Sequence, residues 1–434
     1  VTAGVIEGRL YICDATDDRV LRFVDSDGSS SWEPDSADEL KVYFDDSSTA
    51  ADFSVPSHLV VDENEIVYAL DGGTLDTILA FQDRDGDGNA NGDGEATVFY
   101  DNTADGPTLA TPNTLLLLSD GSFLVADDGS RARHILRLTD RNNDGEALGE
   151  NEAAVVFDAE NLGGIAITDP ESLAEGADGV IYVGDSTARA VFALRDLDGN
   201  GDYQGVGEAR IFFQARDDQP FDDLDSIAVD ARGDVYVGDE DHGTVWRLRD
   251  LNADGDAIDQ DELSVFVSPA AAVPVGDLND MLFLPGGELL MIDGSSDGVV
   301  IALDLNGDGD ADDAGETVNW LRDGGASLTS PSGVAHFVLP TVEPSQDDFV
   351  RGDVDVSGLY DVSDAIATVI YLTQGVEPHD CLDALDANDD GAVNISDPIY
   401  TLNFLFLGGS APPAPFPAAG DDPTPDELDC HFGV

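Results

Sequence analysis

Five stretches of the chain place short oxygen-bearing side chains at alternate positions and bring a longer carboxylate back at a fixed distance. They are DRDGDGNANGDGE from Asp83, DRNNDGEALGENE from Asp140, DLDGNGDYQGVGE from Asp196, DLNADGDAIDQDE from Asp250 and DLNGDGDADDAGE from Asp304. Oxygen ligands at positions one, three and five, Gly at the sixth for a sharp turn and a returning Glu are what a hard cation such as calcium requires of a loop. The ligand sets are Asp83, Asp85, Asp87, Glu95; Asp140, Asn142, Asp144, Glu152; Asp196, Asp198, Asn200, Glu208; Asp250, Asn252, Asp254, Glu262; and Asp304, Asn306, Asp308, Glu316. The competing reading is an Asp/Asn/Gly turn whose side chains satisfy their own backbone. Such turns do not call for a Glu at one distance, yet Glu, only 20 of 434 residues, stands thirteenth in all five. A further stretch, VDSDGSSSWEPDSADE, keeps Asp25 and Asp27 but spaces Glu39 differently and is not counted.

The flanks of these loops repeat with them. An apolar strand precedes each loop (Ile78 to Phe81 in the first, Val245 to Leu248 in the fourth) and another follows (Thr97 to Tyr100, Ser264 to Val267), so each loop closes a hairpin. Upstream lies a strand ending in Asp, at Asp71, Asp127, Asp185, Asp239 and Asp293, and before it a fourth, as in SHLVVD and DSIAVD. Four short strands every ~55 residues make a propeller blade. The first unit lacks its innermost strand, which SGVAHFVLP from Ser332 supplies, so six blades close into a ring without free edges. The loops then lie on the face opposite the blade crossovers, where substrate sites usually sit, and their role is structural: carboxylates that repel one another until calcium neutralises them.

The strand pair in GDVYVGDEDHGTVWRLRD resembles NHL-repeat six-bladed propellers over Val1 to about Pro340. That resemblance implies a fold, while its members span lactonases, lyases and binding modules. The hairpin loops resemble the EF-hand loop, with the closing Glu thirteenth instead of twelfth and a strand following in place of a helix.

Beyond a polar, Pro-containing linker at 341–349, GDVDVSGLYDVSDAIATVIYL and LDANDDGAVNISDPIYTLNFLFLGG carry twelve-residue calcium-loop spacing followed by a helix. Their ligands are Asp353, Asp355, Ser357, Asp361, Asp364 and Asp386, Asn388, Asp390, Asn394, Asp397. This duplication, over 350–407, resembles a dockerin type I domain, and the Pro-rich tail resembles variants in Planctomycetes proteins. The resemblance implies folding on calcium and docking on a cohesin-like partner, with Ser363 and Ser396 where recognition residues often stand. Cys381 and Cys430 are placed to pin the tail as a disulfide, and Cys13, on a strand, is expected to be a buried free thiol.

Acidity bounds the partners. With 91 Asp and Glu against 18 Lys and Arg, the formal charge is −73, which excludes nucleic acid and an anionic lipid surface. The 42% of hydrophobic residues, in regular short runs, exclude a solvated acidic tail. Adaptation to salt is the rival account of so much Asp beside a single Lys, Lys41. No apolar run approaches the ~20 residues of a membrane span. A start at Val1 without Met or a signal peptide is the expectation for a mature exported chain, as it would be for a trimmed one. Millimolar calcium outside cells supports a secreted or cell-surface location.

Ser57, Asn113, Glu171, Asp225, Asn279 and Ser332 open the innermost strands and ring the channel, with His58 and Asp280 next to them. His134 and His242 fall in equivalent turns and are expected at the surface. The expected whole is an all-β six-bladed propeller (1–340) and a small α-helical dockerin-like domain (350–434), holding about seven Ca2+. Its expected function is a non-catalytic, calcium-dependent extracellular binding or assembly module, such as a filament component, with a protein partner through the dockerin-like domain, cohesin-like or a second copy. The alternative is a metal-dependent, lactonase-like hydrolase at the channel mouth, with Glu171, Asp225, Asn113 and Asn279 as ligands; a polar mouth that only hydrates its own strand ends is the plainer account of the same residues.

Overall fold

A computed structural model describes residues 8–24, 40–45, 53–73, 76–103, 106–129, 133–216, 219, 221–321, 328–337, 349–354, 360, 362–374, 381–417 and 428. The stretch with Asp25, Asp27 and Glu39 and nearly all of the linker lie outside these residues. The chain divides into Val1–Leu339 and Pro340–Val434.

The first unit is six four-stranded antiparallel sheets. Blades 2 to 6 begin with inner strands Pro56–Val61, Pro112–Leu117, Pro170–Glu175, Ser226–Val229 and Leu278–Phe283. Blade 1 contains Arg9–Asp14, Arg19–Val24 and Leu40–Asp45, and its inner strand is Pro331–Phe337, antiparallel to Arg9–Asp14 with Arg9 opposite Phe337. Strands of four to seven residues suit these sequences because the middle of each blade is buried on both faces. The second and third strands are accordingly continuous apolar runs such as VYALD and TILAF, not alternating ones. Cohesion comes from sheet packing on sheet. Between blades 1 and 2, Phe44 stacks on Phe81 at 4.1 Å, and Tyr68, Phe99 and Phe123 cluster between blades 2 and 3.

The Asp that ends each second strand has a structural task. Asp14, Asp71, Asp127, Asp185, Asp239 and Asp293 are all buried. Asp127 accepts the N–H groups of Ala110, Thr111 and Gly129 at 2.7 to 3.1 Å, tying the incoming crossover to the turn of its own blade. Asp14, Asp71, Asp185 and Asp293 do the same on their crossovers. Asp127→Ala leaves three amides without their acceptor, at about 1 kcal/mol or more each. It should lower the free energy of unfolding by about 3 kcal/mol, read as an earlier midpoint in denaturant at constant slope.

Two kinds of bulge recur. In blades 1, 2, 3, 4 and 6 the inner strand carries one extra residue where the channel opens: Ser332, Ser57, Asn113, Glu171 and Asn279. In every outer strand the extra residue is an aromatic or Val: Tyr43, Phe99, Val156, Phe212, Phe266 and Trp320. A bulge re-aims a side chain and releases a backbone group from the ladder.

The second unit contains α1 (Val362–Gln374), α2 (Leu382–Leu385) and α3 (Ser396–Leu407). Fully buried Arg351 is its hub. It donates to the carbonyls of Ala414, Asp383 and Asp386, pairs with Asp389 at 3.1 Å and lies against Phe349. The tail is held further by Phe416 against Tyr360 and Phe404. Cys13 is a buried free thiol, as its strand position implies, and burial raises its pKa well above the usual value. Cys381 is disulfide-bonded; Cys430 lies outside the described residues.

Candidate functional site

The five hairpin loops share one geometry. The first Asp of each accepts the N–H of the sixth residue at 2.8 to 2.9 Å. That sixth residue is Gly at a φ between 90° and 103°, a conformation that a side chain would strain. The closing Glu is buried in every loop. Glu95 Oε1 accepts from Arg84 and Asp85 and Oε2 from Gly92, so its two oxygens hold both limbs of the loop. Glu152, Glu208, Glu262 and Glu316 accept in the same way from positions two and ten. These bonds use part of each carboxylate's lone-pair capacity and leave the rest for a cation. Carboxylate oxygens come within 4.8 Å of one another in Asp83, Asp85, Asp87; in Asp196, Asp198, Glu208; and in Asp308, Asp310, Glu316. Asp310, at the seventh position, is a member outside the ligand sets read from sequence, which stop at the fifth position before the closing Glu.

In the second unit, Asp386 accepts the N–H of Gly391 at 2.7 Å, and Asp397 takes Asn388 Nδ2 and the Asn394 N–H, both at 2.7 Å. Burial, helped by the charge of Asp386, pushes Asp397 up to about 7. Asp390 is exposed. Of the other set, Asp353 and Asp364 are buried and Asp364 accepts the Val354 N–H; Asp355, Ser357 and Asp361 lie outside the described residues.

The channel mouth is a cavity of about 480 Å³ on the crossover face, and Ser57, Asn113, Glu171, Asp225, Asn279 and Ser332 all line it. The bulges explain the convergence in five blades, because each takes one residue out of the pleat and turns it toward the axis, and in the unbulged blade 5 Asp225 stands immediately ahead of the strand. Three of the six ring positions are sealed and two carry carboxyl groups. Asn113 donates to the Pro170 carbonyl, Asn279 to that of Pro331 and Ser332 to that of Pro56, each stitching its blade to the next. Glu171 and Asp225 occupy the same place in blades 4 and 5 with carboxylates.

Each of those two heads a triad, Asp128, Asp169, Glu171 and Asp223, Asp225, Glu240, with oxygens within 4.8 Å of one another. Crowded burial favours the protonated forms. Glu171 is pushed up to about 8, first by burial and then by Asp169 and Asp128. Asp225 reaches about 6 through burial. Glu240 reaches about 7 through its hydrogen bond with Asp225, and Asp277 about 6 through burial and then Glu240. This arrangement can hold protons or bind cations, since both relieve the same repulsion. Asp128, Asp169, Asp223, Glu240 and Asp277 were not picked out from sequence. The signal was there in DPE (169–171), DLD (223–225) and DLN (277–279), an acid two residues ahead of the ring position in three successive blades.

Deeper in the channel, His58 Nε2 stands 3.4 Å from Asp280 Oδ2, which also accepts the Val334 N–H at 2.8 Å. His58 belongs to blade 2 and Asp280 to blade 6, so this pair straddles the closing strand between them. Of the two histidines expected at the surface, His242 is there and His134 is not. His134 is buried as the first residue of its strand, and burial lowers its pKa. His242 is partly exposed, its Nδ1 3.0 Å from the buried Asp239.

No family model and no curated protein matches this chain. Among solved structures it is similar to a chain of the nidogen/laminin complex, with a TM-score of 0.50 at 14% identity over 76% of this chain and 97% of that one. It is also similar to virginiamycin B lyase from Staphylococcus aureus (TM-score 0.40, 13% identity, 63% of this chain and 72% of that one). A gluconolactonase from Xanthomonas campestris stands alike (TM-score 0.42, 19% identity, 66% and 79%). At these identities the likeness is one of fold.

Proposed function

We propose that the protein is a calcium-dependent extracellular binding or assembly module, in which peripheral ions stiffen a six-bladed ring. The observation that carries this reading is the fivefold repetition of one oxygen-lined loop whose buried Glu gathers both limbs by their amides. The Glu ties the two limbs by their amides with or without an ion, and in doing so holds the loop's oxygens where a cation site needs them. The bonded Cys381 supports an oxidising, extracytoplasmic location. The dockerin-like resemblance of the second unit assigns it two further calcium ions and a protein partner, cohesin-like or a second copy. Exposed Ile366, Ile399, Phe406 and Leu407 on α1 and α3 support that assignment, because apolar side chains gathered on so small a unit mark contact surfaces.

A second reading is favoured by the two carboxylate triads at the mouth. In it a divalent metal on Glu171, Asp225, Asn113 and Asn279 polarises a lactone or sugar-like substrate for hydrolysis. Crystals grown in calcium and measured for anomalous scattering separate the two. Peaks confined to the hairpin loops and the second unit support the binding module; a peak on the channel axis supports the hydrolase; no peak at either place overturns both.

A further inference from the structure

We infer that each hairpin loop reports the state of its cation to the neighbouring blade through a single peptide group. The inference rests on the calcium reading above and adds to it a direction and a mechanism.

The eighth residue of every loop, Ala90, Ala147, Tyr203, Ala257 and Ala311, donates its backbone N–H across a blade boundary. The acceptors are the carbonyls of Tyr43, Phe99, Val156, Phe212 and Phe266, at 2.7 to 2.8 Å. Each acceptor is the bulged residue in the outer strand of the preceding blade. The two features fit one purpose: the bulge frees a carbonyl from its own ladder, and the loop of the next blade takes it. All five eighth residues are buried. Scarce cations reinforce the boundaries. Arg137 donates to the Gly201 carbonyl and Arg247 to that of Gly309, sixth residues of loops in the next blade, and Arg22 stands 3.8 Å from Asp83.

In a loop of this type the backbone carbonyl of the seventh residue is a ligand. Here those residues are Asn89, Glu146, Asp202, Asp256 and Asp310. The seventh C=O and the eighth N–H belong to one peptide group. A cation drawing electrons from that carbonyl makes the N–H a stronger donor, and a docked N–H makes the carbonyl a better ligand, because hydrogen-bonded groups in series polarise one another. Ion binding in one blade and docking on the blade before it therefore favour each other, and by linkage equally. Calcium in this ring acts as mortar between blades as well as a brace within each loop.

The test uses the full chain. Ala257→Pro removes one docking N–H and keeps every side-chain ligand. Calorimetric calcium titration should show one propeller site weakened at least ten-fold and the other four unchanged; a folded variant with all five affinities unchanged overturns the inference. Should that variant fail to fold, hydrogen exchange on the wild type decides. The five eighth-residue amides should slow at least ten-fold more on adding calcium than inner-strand amides do, and equal slowing overturns the inference. A wild type that takes up no calcium would instead refute the reading beneath it, and this inference with it.

Discussion

Stripping divalent cations from the full chain lowers the melting temperature of the propeller by about 15 to 20 °C. An ion at a hundred times its dissociation constant stabilises the fold by about 2.7 kcal/mol. Five such ions supply roughly 13 kcal/mol, and a ring of some 340 residues has an unfolding entropy near ~0.7 kcal/mol per degree. Scanning calorimetry in moderate salt, with calcium and with a chelator, makes the comparison. Coincident melts would return the Asp-rich composition to salt adaptation and the loops to plain turns. Single-site variants sharpen the result. Glu95→Ala should cost one calcium and spare the other propeller sites, since the Glu95 carboxylate serves only its own loop. It should also cost more stability than loss of the ion alone, because Arg84, Asp85 and Gly92 lose their acceptor. Loss of all five propeller ions in this variant would show that the loops share ligands.

Acidification should stabilise the chelated ring where most proteins of ordinary charge change little. The unfolded Glu171 side chain titrates near 4.5 and the folded one at about 8. Below 4.5 both states hold the proton, and Glu171 contributes nothing. Between 4.5 and 8 the unfolded chain releases it first, so stability falls as pH rises through that window and levels off above 8. Asp225, Asp277 and Glu240, displaced to about 6, 6 and 7, add the same sign in the lower part of the window. Asp120 and Asp293, whose pKa values are lowered, oppose it in more acid solution, and His134, lowered from 6.5 by burial, opposes it just below 6.5. Glu171→Gln removes the largest of these costs and should raise stability at pH 8 by about 1 to 2 kcal/mol, after allowance for solvent at the mouth. Thermal melts from pH 5 to 8 in chelator, for wild type and the variant, test this. Parallel slopes would mean that the mouth is too well solvated to matter. If an added dication erases the slope in the wild type, the mouth itself binds it.

Sequence periodicity carried the architecture because blades are made locally. A strand ending in Asp, a polar turn, an apolar strand and a loop closed by Glu recur within ~55 residues, and the missing inner strand of blade 1 has its counterpart at Ser332. The ring positions Glu171 and Asp225 were legible because they open inner strands. Their partners Asp128 and Glu240 were not, since each follows the buried Asp of a second strand and meets the ring only once neighbouring blades stand side by side. The burial of His134 escaped for a similar reason: its turn is polar in sequence, but it is already the first residue of a strand. Docking of the eighth residue on the preceding blade leaves almost no trace in side chains, because both partners are backbone groups. The outer-strand bulges that supply the acceptors have no fixed residue type beyond size.

The register of the closing pair also fixes how the ring yields to force. Arg9 lies opposite Phe337, so the strand that begins the propeller chain and the strand that ends it leave their shared blade side by side. Tension between those two ends opens their ladder like a zip, one residue pair at a time, instead of loading all the bonds together in shear. Blade 1 is thus the mechanical fuse of the ring. Arg9 and Tyr11, which both donate to Glu65 of blade 2, are the first cross-blade ties an opening zip would meet, and the clasp of Asp280, which holds the Val334 N–H and faces His58, comes next along that path.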